Sequence, residues 1–272
     1  MAGSNDPAIC MRSKMNPIIE FLNSHASARQ FTGQEISAED ECTILTTAQR
    51  SPTSSNLQAY SVISIRNQTT KQKLSELTGN QAHVTECSLF LVFCADLYRL
   101  SMLNKKRGYP FHGEYMEALI VATVDTALVA DRALEAAEAL GLGGVMVGSI
   151  RNHPQEVCDL LGIPDLAFPV MGMSIGYPKS KAEVKPRLPL KGINFKEKYQ
   201  VDQIEPAIEE YDRIVANHGH LVGRKVSPEK YPKFKGEYTW SEHTARRMAS
   251  DVPTTLRPFM LSFLQKRGLG RK

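Results

Sequence analysis

The sequence predicts an α+β fold, and three observations carry that prediction. Short apolar and β-branched runs are interspersed with segments of helical periodicity. Helices and strands alternate without a strict β-α-β cadence. At 272 residues and 42% hydrophobic, the chain can bury a substantial core, as one large domain or a domain with appendages.

Residues 1–15 read as a loose leader and 16–272 as a single domain. Asn16 caps a first helix whose first position is Pro17, where a missing N–H costs nothing. Ser37 to Asp40 opens a second helix, with Ile44, Leu45 and Ala48 on its inner stripe, ending before Pro52. Thr53 to Asn56 is a loop of small polar residues. Tyr60 to Ile65 is a strand, and Thr70 to Thr78 a helix stopped by Gly79. Leu89 to Ala95 is continuously apolar and short, as a central strand buried on both faces should be. Glu114 to Leu140 is one long helix or two abutting ones, apolar around most of its circumference and so expected to run through the core. Gly144 to Ile150 and Phe168 to Ile175 are strands flanking a helix from about Pro154 to Leu161.

Beyond Tyr177 the composition changes, and 178–272 reads as an extension. Lys179 to Leu190 is rich in Lys and Pro and should run extended over the surface. A helix near Ile204 to Asn217, a basic irregular stretch from His218 to Tyr238, and helices near Glu242 to Ser250 and Pro258 to Lys266 complete the chain. With little core of its own, this tail is expected to wrap another subunit.

Composition excludes several classes. A net charge of +4 favours anionic ligands mildly but does not suit a nucleic-acid binder. No run approaches the about 18 apolar residues of a membrane span. Five cysteines without a C-x-x-C pair point to reduced thiols and a cytoplasmic location. His218-x-His220 is a weak metal motif without spaced acids, so no metal is expected. Neither a G-x-G-x-x-G after a strand nor a G-x-x-x-x-G-K-[ST] is present, and no nucleophile signature is found.

Two basic clusters are the candidate chemistry. In an extended segment His25, Ser27 and Arg29 fall on one face, a set of donors suited to a phosphate or else a solvated polar turn. Lys185-Pro186-Arg187 is a stiff basic element that closes over the same phosphate or stands as a surface charge pair. Gly143 to Gly148 joins a helix end to a strand; its missing side chains allow close backbone approach to a flat ligand, or serve turn chemistry alone.

Five stretches together resemble the FMN-dependent nitroreductase superfamily, in its NADPH-preferring oxygen-insensitive nitroreductase and flavin reductase branch. They are His25 to Thr32, Thr78 to Val84, Leu140 to Val145 followed by Gly148 to Asn152, Lys185 to Pro189, and Thr239 to His243. The resemblance implies a nitroreductase-like fold: a central mixed β-sheet flanked by helices, in an intertwined homodimer holding FMN at its interface. It implies that His25, Ser27, Arg29, Lys185 and Arg187 hold the phosphate and ribityl end. Thr53, Ser54 and Gln81 would contact ribityl or ring atoms, and Met146, Val147, Gly148 and Ser149 would line the ring with backbone amides. Glu117 would approach the ring, or else is a helix-surface acid. Arg224 and Lys225, with Lys230, Lys233, Lys235 and Arg151, would read NADPH, or else form a solvated charged loop. Ala26, Met146 and Ser149 stand where the branch more often has Arg, Tyr and Gly.

The implied activity is hydride transfer from NADPH through FMN to nitroaromatics, quinones or flavins in a ping-pong cycle, with no catalytic side chain, no nucleic acid and no membrane. A dedicated flavin reductase, and in a different class a non-catalytic flavin or nucleic-acid binder using residues 218–238, remain as alternatives.

Overall fold

The structure, a computed structural model, describes residues 16–219, 221, 234, 236, 238–250 and 252–272, the side chains of 253 and 254 excepted. Arg224, Lys225, Lys230, Lys233, Lys235 and His220 lie outside the described residues. The chain forms a larger unit, residues 21–183 with 257–272, and a smaller one drawn from the described residues up to Glu20 and within Val184–Leu256.

The larger unit is built on four strands: β1 (Tyr60–Ile65), β2 (Leu89–Asp96), β3 (Gly143–Val147) and β4 (Ala167–Gly176), in the order β1-β2-β4-β3. Every pairing is antiparallel, which corrects the expected mixed sheet. Burial of β2 on both faces comes from helices on each side of it and does not require parallel neighbours. The alternation along β2 divides the core. Leu89, Leu91 and Phe93 face one layer; Phe90, Val92 and Cys94 face the other.

On the first face lie α2 (Ala38–Ala48) and the long α6 (Met116–Ala139), through Ile44, Ala48, Val129, Ala130, Ala133, Leu134 and Ala137. Ser37 caps α2 by accepting from Asp40 N at 2.9 Å. On the second face lie α3 (Gln68–Leu77), α4 (Ala82–Glu86) and α7 (Pro154–Leu161), together with α11 (Met260–Lys266), whose Phe263 enters the core. The last helix thus packs into the larger unit, whereas composition alone had grouped it with the tail. Arg271 and Lys272 end the chain against Glu114, and the Lys272 carbonyl accepts from Met116 N at 2.8 Å, satisfying a free donor in the first turn of α6.

Helix α6 does not run wholly through the core. Its alanine-rich side packs on the sheet, while Ile120, Val124 and Leu128, four residues apart, are exposed with Met116. Helix α5 (Tyr98–Arg107) was not expected from sequence. It buries no residue, so it has no apolar stripe to reveal it. Strand β3 ends at Val147 rather than Ile150, because Gly148–Arg151 closes into a 3₁₀ turn.

In the smaller unit, α8 (Ile204–His218) and α9 (Trp240–Met248) enclose a small core of Tyr211, Val215 and Leu221 with Leu188, Ile214, Tyr238 and Trp240. Asp212 on α8 binds Ser241 through both the backbone N–H (2.9 Å) and the hydroxyl, fixing the start of α9. The remaining helices are α1 (Pro17–Asn23) and α10 (Pro253–Leu256).

Candidate active site

The segment after α1 is extended, as its spacing predicts. Ala28 N donates to Gly144 O at 2.9 Å, and Phe31 bridges Pro178, so the segment lies against β3 and the end of β4. Ala28 is buried, and a side chain at Gly143 would meet its Cβ at 2.7 Å; this close approach explains that glycine. Ser27 is half-buried and Arg29 exposed on the opposite side. Arg29 has no hydrogen-bond or ion-pair partner among the described residues. His25 is anchored by Glu138, near the end of α6, whose Oε1 lies 2.7 Å from Nδ1. Sequence reading missed Glu138.

The Thr53–Ala59 loop is held from inside by another residue that was missed. Asp125 on α6 is 1% exposed, and it accepts from Ser54 N (3.0 Å) and Ala59 N (3.2 Å). Between these anchors Ser55, Asn56 and Gln58 all take positive φ, at 48°, 56° and 53°. Left-handed backbone at three non-glycine residues is strained, and such strain gathers where surrounding structure over-determines it. An acid on the apolar side of the stretch 118–139 was the available signal.

Gln81 lies at the centre of a polar chain. Its Nε2 donates to Thr78 O (2.8 Å) and Ser149 Oγ (2.5 Å), and its Oε1 faces His83 Nε2 at 2.8 Å. His83 Nδ1 in turn lies 3.0 Å from the hydroxyl of the fully buried Ser174. His83 has its pKa lowered, by burial first and by the charge of Arg29 second, with Glu86 opposing. Arg29 therefore lies near enough for its charge to act on His83.

That shift sets a pH dependence. Native His83 stays neutral where the unfolded chain's histidine gains a proton, so the unfolded state binds more protons as pH falls through about 6.5. Its full contribution to stability is present above that value and declines toward the lower, folded pKa. Urea midpoints should fall between about pH 7.5 and 5.5, and His83→Gln should flatten part of that slope. Equal slopes in both proteins would refute the assignment.

Of the β3 candidates, Met146 is half-buried, while Val147 is buried in the core and offers only its backbone. A Cβ at Gly148 would meet nothing nearer than Arg151 Nη2, at 3.5 Å. Arg151 bonds the Val170 carbonyl; its pKa is lowered by burial and then by Arg257. Arg257, also missed, has φ 48° and places Nε and Nη2 at 3.0 and 2.8 Å from Asn152 Oδ1. Glu117 is exposed in the first turn of α6, with none of the other candidates among its bonding partners.

Lys185 and Arg187 lie in the smaller unit. Both are exposed, and Arg187 Nη1 turns back to the Lys185 carbonyl at 2.9 Å, while Tyr211 donates to Pro186 O at 2.8 Å. Among the described residues no group of three or more His, Cys, Asp or Glu is placed to hold a metal ion, and no helix is long and apolar enough to cross a membrane.

Comparison with known proteins identifies the family. The nitroreductase family model matches residues 22–177, and that of the nitroreductase family C-terminal domain matches 185–272. The chain is 34% identical to an oxygen-insensitive NADPH nitroreductase of Salmonella typhimurium, covering 93% of this chain and 98% of that one. It is also 34% identical to an FMN reductase (NADPH) of Bacillus subtilis, over 90% of this chain and 97% of that one. The solved NfrA1 nitroreductase of B. subtilis superposes with a TM-score of 0.83 at 32% identity, covering 93% of this chain and 99% of the other. On fold, motif order and coverage, the chain belongs to the nitroreductase family.

Proposed function

We propose that this protein is an FMN-dependent oxidoreductase that draws on NADPH and reduces nitroaromatics, quinones or flavins. The observation that carries the reading is the pairing of the His25–Arg29 segment with β3, through Ala28 N and Gly144 O at 2.9 Å, on the strand that leads into the Gly148–Ser149 turn held by Gln81. That set offers cations at one end and neutral donors at the other, which suits a ligand with a phosphate, a polyol and a polar ring. The open face at Gly148 accepts a flat ring, so the residues present fit FMN.

FMN bound here would supply the redox chemistry linking NADPH to the oxidant, in a ping-pong cycle. The chain's own residues bind and orient. Arg29, Ser27 and His25 would hold the phosphate, and Lys185 and Arg187 would supply two further cations to it. Thr53 and Ser54 are presented by the loop that Asp125 braces. Glu117, Arg151, Arg224 and Lys225 serve the substrate side. NADPH and its oxidants enter from the side open at Gly148.

The exposed Met116, Ile120, Val124 and Leu128 stripe supports a homodimer through α6, with residues 178–272 reaching the partner. Sedimentation at a single chain's mass would count against it. The described cysteines are all free thiols, and burial pushes Cys87 and Cys158 up to about 11; reduced thiols support a cytoplasmic location, which cell fractionation tests.

The deciding experiment is spectroscopic. Purified protein should be yellow, bleach with NADPH and recover colour with a nitroaromatic. Arg29→Ala should weaken FMN binding by roughly 10- to 100-fold, the loss of a charge-assisted contact worth about 1.5–3 kcal/mol. Riboflavin, which lacks the phosphate, should bind both proteins equally. Equal FMN affinity in the variant would remove the phosphate grip from the proposal.

A further inference from the structure

The polar chain at Gln81 has a direction, and the direction follows from counting hydrogens. Both amide hydrogens of Gln81 are used, on Thr78 O at 2.8 Å and Ser149 Oγ at 2.5 Å. Rotating the amide would bring its oxygen against the Thr78 carbonyl, so the orientation is settled by the backbone. Gln81 Oε1 must then accept, and the atom facing it at 2.8 Å is His83 Nε2. A neutral imidazole carries one ring hydrogen, here on Nε2, so Nδ1 accepts from the Ser174 hydroxyl at 3.0 Å. Burial and the charge of Arg29 both keep His83 neutral.

The last member of the chain is Ser149. Its oxygen accepts from Gln81, and its own hydrogen goes to no partner among the described residues. Ser149 is half-buried, beside Gly148, where a Cβ would meet only Arg151 Nη2 at 3.5 Å. A planar ring can approach this turn closely, and the hydroxyl is left with only donation to offer it.

We propose that Ser149 is a fixed hydrogen-bond donor to the ring of bound FMN, held in that polarity by the Gln81–His83 pair, and that it raises the midpoint potential of the flavin. The proposal rests on FMN occupying this site. A donor held against the ring favours whichever form carries more negative charge, and reduction adds electron density to the ring. Ser149 touches the cofactor; Gln81 and His83 are positioning residues that act through it.

The test is spectroelectrochemical titration of FMN-reconstituted wild type, Ser149→Ala, His83→Gln and the double variant, with FMN affinity measured in parallel. Ser149→Ala should lower the potential by about 30 mV, a tenfold change in the oxidised-to-reduced ratio for a two-electron couple. His83→Gln should lower it in the same direction, by removing the ring N–H that Gln81 Oε1 accepts and so loosening the amide that fixes the Ser149 oxygen. The double variant should be no lower than Ser149→Ala alone, a non-additivity that general loosening of the site would not produce. An unchanged potential in Ser149→Ala with FMN bound normally overturns this inference and leaves the FMN reading intact. Wild-type protein that fails to bind FMN overturns the reading itself.

Discussion

Asp125→Ala is expected to cost roughly 2–4 kcal/mol of stability and to reduce FMN affinity at least tenfold. The carboxylate is sealed inside α6 and accepts from Ser54 N and Ala59 N, the two ends of one loop. Charge-assisted bonds of this kind contribute about 1.5–3 kcal/mol each, partly offset by the cost of burying the carboxylate. Ala59 is itself fully buried, so its orphaned N–H finds no water. Between the anchors lie three residues of left-handed backbone, held besides by Arg99 Nη1 on Gln58 O at 3.2 Å and by short turn bonds, and the loop should relax in part once Asp125 releases it. Asp125→Asn should rescue no more than half the loss despite its equal volume, because its NH₂ would face one of the two N–H donors. Urea midpoints of the apo-protein and FMN titrations read the two effects separately. Wild-type values for both in Asp125→Ala would show that the loop holds its shape unaided.

Much of this fold was legible in the sequence, and the parts that were not share a physical cause. Tyr60–Ile65 and Pro154–Leu161 form where their composition and flanking residues place them, and Ser37 and Gly79 mark the helix ends they should. These features depend on local chemistry, which one segment carries by itself. Strand direction does not; the antiparallel pairing of β2 with β4 depends on how distant segments return, and an apolar run reads alike in either sense. The candidate site divides in the same way. Candidate donors such as Arg29 and Gln81 appear in short motifs. Asp125 and Glu138, which hold Ser54 and His25, act across 71 and 113 positions of chain, and nothing beside them announces it; His83 falls inside the Thr78–Val84 stretch, but its bond to Ser174 spans 91 positions. Asp125 came nearest to being readable, as a carboxylate on a helix face otherwise made of Ala, Val, Leu and Thr. That it must serve a buried donor follows from its burial alone.

Arg267→Met is the second substitution expected to act strongly, and it separates anchoring from charge. Arg267 ends α11 as the one arginine found buried among the described residues. Its Nε donates to Ala167 O at 2.9 Å and its Nη2 to Ile163 O at 2.7 Å, with a further bond to Pro164 O, so one guanidinium closes the turn that leads into β4. Asp165 at 3.5 Å is mostly exposed and adds little. Methionine keeps the apolar stem but leaves those carbonyls unpaired, at a cost of roughly 2–4 kcal/mol. Lysine keeps the charge yet cannot reproduce the planar fork, and should recover less than half. The consequence reaches the proposed site because α11 follows directly from Arg257, which holds Asn152 in the turn after β3. Hydrogen exchange should therefore rise in α11 and in residues 148–152 together in Arg267→Met, while β1 and β2 stay protected. Faster exchange confined to α11 would mean that the C-terminal segment and the turn after β3 are held independently.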